Sequence, residues 1–291
     1  MSPYLWMLCS SMAFSVMATL ASSLRHTFPW QWIAVGRSTV PFIVCGLIAW
    51  RCRIPLPILR PPVLWLRSIA GSLSLVFTFF ALTRLPSSDV MTLTNIFPIW
   101  VTLASWPLLG HRPTRSVWVC IAIALAGVLL VLQPHFDEGN FATFVALAAS
   151  VTTTMAMLGL HKLHGLDPRA IVWHFSAVSF LFSFGAMQLF DVSARSNDPT
   201  TALGWFALLG VGVSALAGQF CLTKAFTTGT PSRVSVVGLT QVGFTMLLEI
   251  ILSHRSYNVE TLVGMVLVLT PTAWLLSHPV RRQPIRSSEE S

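Results

Sequence analysis

The apolar run at residues 115–133, RSVWVCIAIALAGVLLVLQ, determines the class of fold. After Arg115 it contains no charged side chain over the next eighteen positions. A helix needs about 20 mostly apolar residues to cross roughly 30 Å of hydrocarbon, because each residue adds about 1.5 Å of length. The run therefore predicts a helix that spans a membrane.

Similar runs occur on both sides of it and predict nine further spans. Apolar residues form 54% of the 291-residue chain, charged residues 10%, and the mean hydropathy is +0.72. Soluble domains average about a quarter charged residues, so a soluble fold is excluded. We predict an all-α, polytopic membrane protein whose ten transmembrane helices lie near residues 4–23, 29–50, 63–84, 88–109, 115–133, 140–161, 169–190, 201–223, 233–253 and 258–278.

The positions of the basic residues predict the orientation in the membrane. With the N-terminus inside, thirteen of the 18 Lys and Arg residues, Arg67 among them, fall on the cytoplasmic side, four fall outside, and Arg37 lies within a span. Cytoplasmic loops of membrane proteins carry such an excess. We expect a multi-pass protein of the inner (plasma) membrane with both termini cytoplasmic. The net charge of +8 then belongs to loops, and no nucleic-acid partner is predicted.

The chain also resembles itself. Residues 108–113, LLGHRP, and residues 251–256, ILSHRS, carry His-Arg pairs 143 positions apart, and each precedes an apolar helix with a glycine, Gly127 or Gly264. Five spans per copy is an odd number, so the second copy enters the membrane from the opposite side. We predict two inverted five-helix repeats, residues 1–139 and 140–280, followed by a disordered cytoplasmic tail, 281–291. Inverted repeats of this kind are typical of secondary transporters, with the substrate site where the halves meet.

Several short motifs carry a family resemblance over nearly the whole chain. They are Val35-Gly36-Arg37, the stretch FALTRLPSS at 80–88, NIFP at 95–98 and LGHR at 109–112. With them the chain resembles the drug/metabolite transporter superfamily, in particular its EamA-type ten-helix members. The resemblance implies an alternating-access carrier whose central cavity is lined by helices one to four and six to nine, with helices five and ten at the periphery. That family usually has a glutamate where His111 and His254 stand, which indicates a divergent branch.

Two charged residues lie within predicted spans, where charge is costly and normally faces the bundle interior or water. Arg37 is eight residues into the second helix; it either binds an anionic group of the substrate or has a structural or gating role, and the resemblance favours the latter. Glu249, in the ninth helix, either carries a coupling proton or pairs with Arg37.

Further polar and aromatic side chains within the spans are candidates for binding or gating. Asn95 and Gln241 lie in equivalent helices of the two halves, and they and Gln219 either contact substrate or join helices. His174 either contacts substrate or makes an interhelical hydrogen bond, and Trp100 is a candidate for stacking on a planar ligand.

No metal or cofactor site is predicted. His161 and His164 flank a lysine in a loop without nearby Cys or Glu, so we interpret them as solvated. The chain has no phosphate-binding glycine loop, zinc-protease or nucleophile motif, which argues against an enzyme.

The predicted function is a secondary transporter for a small organic metabolite, such as an amino acid, a nucleoside or a related compound. The resemblance favours export over import. The alternative is a membrane-embedded enzyme acting on lipid-linked groups, but no polar catalytic cluster supports it, and a channel is disfavoured because charged rings are scarce. The expected partners are the small-molecule substrate and membrane lipid; proton coupling and a homodimer remain open.

Overall fold

The computed structural model describes residues 1–24, 27–82, 84–110, 112–134, 141–189, 202–253 and 258–278. Within these ranges the chain forms α-helices and no strand. The helices are α1 Pro3–Leu24, α2 Trp30–Arg51, α3 Pro62–Leu82, α4 Ser87–Thr94, α5 Phe97–Leu109, α6 Arg115–Leu132, α7 Phe141–Lys162, α8 Pro168–Leu189, α9 Ala202–Thr228, α10 Pro231–Gly238, α11 Thr240–Ser253 and α12 Val259–Ser277.

The all-α, ten-span prediction is confirmed. Ten stretches of the described chain are long and apolar enough to cross a membrane, and their ends mostly agree with the predicted ones within a few residues. The eighth span was predicted too short, because α9 continues five residues beyond 223. The predicted boundary between residues 139 and 140, the tail 281–291, and both His111 and His254 lie outside the described residues.

The fourth and ninth spans are each broken into two helices, which the sequence prediction of single helices missed. Between α4 and α5 the break comes just before Pro98, whose nitrogen has no hydrogen to donate. Asn95 Nδ2 donates to the carbonyl of Met91 at 2.8 Å. The side-chain amide is thus an additional donor to a carbonyl that also accepts from the backbone N–H of Asn95 at 3.0 Å.

At the corresponding break between α10 and α11, hydroxyl groups of α1 donate hydrogen bonds to backbone carbonyls. Ser11 Oγ donates to the carbonyl of Gly238 at 3.4 Å, and Ser15 Oγ donates to that of Gln241 at 2.9 Å. In α7, Thr154 Oγ1 donates to the carbonyl of Phe97 at 3.3 Å, beside the first break. Ser11 and Thr154 lie 143 positions apart, so a hydroxyl from each half of the chain supports the broken span of the other half.

The most extensive helix packing joins the two halves of the chain. Helix α1 packs on α9 and α3 packs on α7, while α2 packs on α8 and α6 on α12. Exchanging each span for the one five places later reproduces this set of pairs. The bundle therefore has an internal two-fold pattern, and its two halves interlock.

The outer surface of the bundle is apolar. Leu47, Phe206 and Val266, on three different helices, are 58%, 71% and 62% exposed. In lipid such a surface needs no polar cover, because the surrounding acyl chains are as apolar as the protein core.

Candidate functional site

A cavity of about 1300 Å³ lies between the two halves of the bundle. It is lined by residues of α1 to α5 and α7 to α11, with Val131 and Leu132 of α6 at its edge, and α12 contributes none of its described residues. This matches the expected lining by helices one to four and six to nine, except for the end of α6.

The cavity opens at the end of the bundle opposite the N-terminus. Its lining includes Ser22 near the end of α1, Trp30 at the start of α2, Leu82 at the end of α3 and Ser87 at the start of α4. None of the described loop residues at the other end, such as those at 52–61 and 163–167, lines it. The cavity is thus a one-ended vestibule that reaches past the middle of the bundle.

Five of the seven predicted site residues line this cavity. They are Arg37, Asn95, Gln219, Gln241 and Glu249. Asn95 and Gln241 come from the two broken spans, one from each half of the chain, and each lies directly beside its break. The breaks therefore place an amide from each half at the same cavity.

Trp100 is not part of the cavity lining, so the structure does not place it for stacking on a ligand there. Its indole Nε1 donates to Ser150 Oγ at 3.1 Å, which ties α5 to α7. The short α5 begins after the break, and the described cavity residue nearest to Trp100 in sequence is Phe97.

Arg67 is the main functional candidate that the sequence prediction missed. It was counted with the cytoplasmic arginines because it lies only five residues into α3, close to the loop arginines. The structure instead buries its side chain to 2% exposure and places it in the cavity lining. Without Arg67, twelve Lys and Arg residues still fall on the predicted cytoplasmic side and four on the other side. The predicted orientation is therefore unchanged.

The guanidinium of Arg67 is held from two sides. Its Cζ atom lies 4.2 Å from the ring centroid of Phe175, and its Nη2 donates to Gln219 Oε1 at 3.2 Å. A Cβ atom at Gly71 would overlap its Nη1, so the absence of a side chain at Gly71 makes room for it. Its Nε has no hydrogen-bond partner.

Arg37 supplies a second guanidinium to the same cavity. Its Cζ lies 5.9 Å from the ring centroid of Phe14 in α1. Like Arg67 it lines the cavity, and two like charges in a weakly polar interior repel each other. The two arginines therefore form one electropositive region within the cavity.

The open end of the cavity combines aromatic and charged side chains. The rings of Trp30 and Phe79 stack with centroids 5.2 Å apart, and the Arg84 guanidinium lies over Phe80 at 5.5 Å. Glu249 is the one carboxylate among the described lining residues. The walls are mostly apolar with a few polar groups, as is usual for sites that bind small organic molecules.

At the opposite end of the bundle, hydrogen bonds meet at the carbonyl of Ile58, in the loop before α3. Trp65 Nε1 donates to this carbonyl at 2.8 Å, and His174 Nε2 lies 3.3 Å from it. Because a carbonyl only accepts, His174 Nε2 carries the hydrogen, and its Nδ1 then accepts from the Ser68 hydroxyl at 2.8 Å. His174 is thus placed as an interhelical hydrogen-bonding residue, outside the cavity, and we name this group of four residues the end lock.

No cluster of three or more His, Cys, Asp or Glu side chains suitable for a metal occurs in the described part of the chain. The interpretation of a solvated loop is wrong for His161, which lies half-buried in the last turn of α7 with its Nδ1 3.1 Å from the carbonyl of Phe226 in α9. The Nδ1 of His164 lies 3.3 Å from the carbonyl of His161. The polar groups of the described cavity lining are arginines, amides, hydroxyls and the carboxylate of Glu249, and such groups suit the binding of an organic solute.

The chain is similar in sequence to proteins that are named as transporters. The chain is 29% identical over 233 residues to the pseudopaline exporter CntI of Pseudomonas aeruginosa, covering 78% of this chain and 79% of that protein. It is 24% identical over 249 residues to a probable transport protein of Saccharomyces cerevisiae, YPL264C, covering 77% of this chain and 70% of the yeast protein.

More distant likenesses extend over much of the chain. Solute carrier family 35 member G1 of Homo sapiens is 20% identical over 218 residues, covering 70% of this chain and 59% of the human protein. A solved crystal structure shares the fold with a TM-score of 0.81 at 17% identity, covering 93% of this chain and 96% of that one.

The family model named EamA-like transporter family matches the chain twice, over residues 1–133 and residues 139–277. The names of the relatives point to a membrane transporter rather than an enzyme. With its ten spans and central cavity, the chain belongs to the EamA-like transporter family.

Proposed function

We propose that the protein is a secondary carrier that moves a small organic metabolite, such as an amino acid, a nucleoside or a related compound, across the inner membrane by alternating access. The one-ended cavity carries this proposal. It reaches past the middle of the bundle from one side, and none of the described loop residues at the other side, where the end lock lies, contributes to its lining. A carrier needs such a state, in which the binding site is reached from one face only.

The internal two-fold pattern supports alternation between two such states. Because the helix pairs are reproduced when the halves are exchanged, equivalent pairs of helices are present at both ends of the bundle. Rocking of one half against the other around a fixed central site is the usual way in which repeat-built carriers work.

Export is the proposed direction, because the relative from Pseudomonas aeruginosa is named an exporter. With the N-terminus in the cytoplasm, as the basic residues predict, the described cavity faces outward. In an exporter this is the state that releases the solute.

Transport by the purified protein in proteoliposomes is the direct test. We expect at least some members of a broad metabolite panel to cross the vesicle membrane faster than in protein-free vesicles. A protein that moves none of the panel in either direction would contradict the proposed function.

The proposed orientation has its own test in single-cysteine variants at Ser2, Ser88 and Ser277. In intact cells an impermeant maleimide should label only the cysteine at 88, at the open end of the cavity. Labelling from outside at position 2 or position 277 would contradict the proposed orientation in the membrane.

A further inference from the structure

We propose that the transported solute is an organic anion whose carboxylate or phosphate group binds between Arg37 and Arg67. This inference rests on the proposed function and narrows its range of solutes to those with a net negative charge, which excludes nucleosides and neutral amino acids. It is carried by the charge of the cavity, by an unpartnered donor on Arg67, and by the apolar walls around the two arginines.

The described cavity residues carry an excess of positive charge. Arg37, Arg67 and Arg84 line it against a single carboxylate, Glu249, which gives a formal charge of +2. The described lining includes no lysine, aspartate or histidine. A cleft lined by one sign of charge and bounded by apolar walls concentrates the opposite sign, so it favours anions and disfavours cations.

Arg67 is held in a position suited to ligand binding, but its hydrogen-bonding capacity is not used up. The side chain is 2% exposed, and its Nε has no partner although Nη2 is bonded to Gln219. A buried donor without a partner is unfavourable, and an oxyanion in the adjacent cavity would satisfy it. Arginine presents its N–H groups in a planar fork that matches the geometry of carboxylates and phosphates.

A purely structural role for Arg67 explains these features less well. A residue that only joins helices is most stable when its N–H groups are bonded to the protein and other cations lie far from it. Arg67 instead keeps a free donor and lines the same cavity as Arg37. An anion between the two guanidinium groups would satisfy the donor and remove their repulsion.

The rest of the cavity fits the carbon skeleton of such a solute. Phe14 and Phe175 lie beside the two arginines, and Trp30 and Phe79 form an aromatic wall toward the open end. A volume of about 1300 Å³ exceeds what an inorganic ion needs. The inference is therefore an organic acid or organic phosphate rather than a simple inorganic anion.

The test loads proteoliposomes with the small-molecule fraction of a bacterial cell extract and identifies by mass spectrometry which compounds cross the membrane in each direction. We expect the compounds moved by the wild-type protein to carry a carboxylate or phosphate and to be negatively charged at pH 7. Movement of only neutral or cationic compounds would overturn the anion inference and leave the carrier function standing. Movement of no compound would instead contradict the carrier function itself.

Three variants then locate the binding group. Arg37→Gln and Arg67→Gln should each slow the flux of the identified anions about tenfold or more, as expected when a hydrogen bond to a charged group is lost. Arg67→Lys should retain part of the flux, because it keeps the charge and loses the fork. Arg112→Gln is the matched control, since that guanidinium lies over Trp106 and outside the cavity lining.

Equal anion flux in the wild-type and both glutamine variants would overturn the assignment of the two arginines. Each variant is compared only when it elutes as a single species in detergent. If Arg67→Gln does not fold, Arg37→Gln and the charge class of the compounds moved by the wild type decide the inference.

Discussion

Gly127 of α6 and Gly264 of α12 pack against each other's backbone. A Cβ atom added to Gly127 would lie 2.7 Å from the carbonyl oxygen of Gly264, and one added to Gly264 would lie 2.8 Å from that of Gly127. The relationship is reciprocal because α6 and α12 exchange places in the internal two-fold pattern. Neither glycine can therefore be replaced by a residue with a side chain unless the two helices move apart.

Gly127→Ala should lower the stability of the protein in detergent. Its methyl group would have to push α12 away, and overpacking of a close contact costs about 1–3 kcal/mol. Gly185→Ala is the control, because nothing lies within 4 Å of a Cβ at that position and alanine favours a helix over glycine by up to about 1 kcal/mol. The midpoint temperature of unfolding, monitored by tryptophan fluorescence, should fall for Gly127→Ala and rise for Gly185→Ala. Equal shifts in the two variants would refute the contact.

Gly71→Ala should reduce transport while leaving the bundle folded. Its methyl group would displace the end of the Arg67 side chain and would come within 2.9 Å of the Phe175 ring. Loss of a charge-assisted contact costs about 1.5–3 kcal/mol, so the flux should fall at least about tenfold. Gly159→Ala is the matched control, because its Cβ would be 3.4 Å from the nearest Arg67 atom, an ordinary contact. Similar flux in both variants would show that the position of Arg67 does not matter.

Ser68→Ala should loosen the end lock. It removes the hydroxyl that donates to His174 Nδ1, and a hydrogen bond of this kind contributes about 0.5–1.5 kcal/mol. The buried thiol of Cys45, near the same end of α2, can report the change when the other four cysteines are serine. We expect a water-soluble maleimide to label it about two- to tenfold faster in Ser68→Ala.

Ser74→Ala provides the control for this measurement. Ser74 also lies in α3 and bonds across to α7 through the carbonyl of Ala149, but it lines the cavity and is not part of the end lock. Its loss should leave the labelling of Cys45 unchanged. Equal acceleration in both variants would indicate general loosening of α3.

Glu249→Gln tests whether a proton drives transport. Glu249 is the carboxylate among the described cavity residues, and glutamine keeps its shape while removing its ability to bind a proton. If wild-type flux rises under a pH gradient, we expect the variant to lose that rise and to keep its flux without a gradient. A variant that responds to the gradient as the wild type does would exclude Glu249 as the coupling group.

The helices were predictable from the sequence because each span is a long apolar run with polar or proline-rich ends. The break after Asn95 had a signal in Pro98, although we predicted a single helix there. The break at Leu239 had no such signal, because no proline follows it. The hydroxyls that donate to the carbonyls beside it belong to Ser11 and Ser15, which are distant in the sequence.

The cavity was only partly predictable. Arg37 was identifiable because it stands alone in an apolar run, whereas Arg67 lies near loop arginines and has the appearance of an interfacial residue. Its burial depends on Gly71, Phe175 and Gln219, which come together only in the folded bundle. His174 and Trp100 could not be excluded from the cavity on sequence alone, because their partners Ser68 and Ser150 lie on other helices.

The interlocking of the two halves has a consequence for biosynthesis. The ribosome delivers the first half of the chain before the second. The main packing partners of α1, α2, α3 and α6 all belong to the second half, namely α9, α8, α7 and α12 in that order. The helices that insert first therefore remain in the bilayer with their packing faces exposed to lipid until the second half is inserted. A gene truncated after the first half would yield a product recognised by quality-control proteases rather than a small working unit.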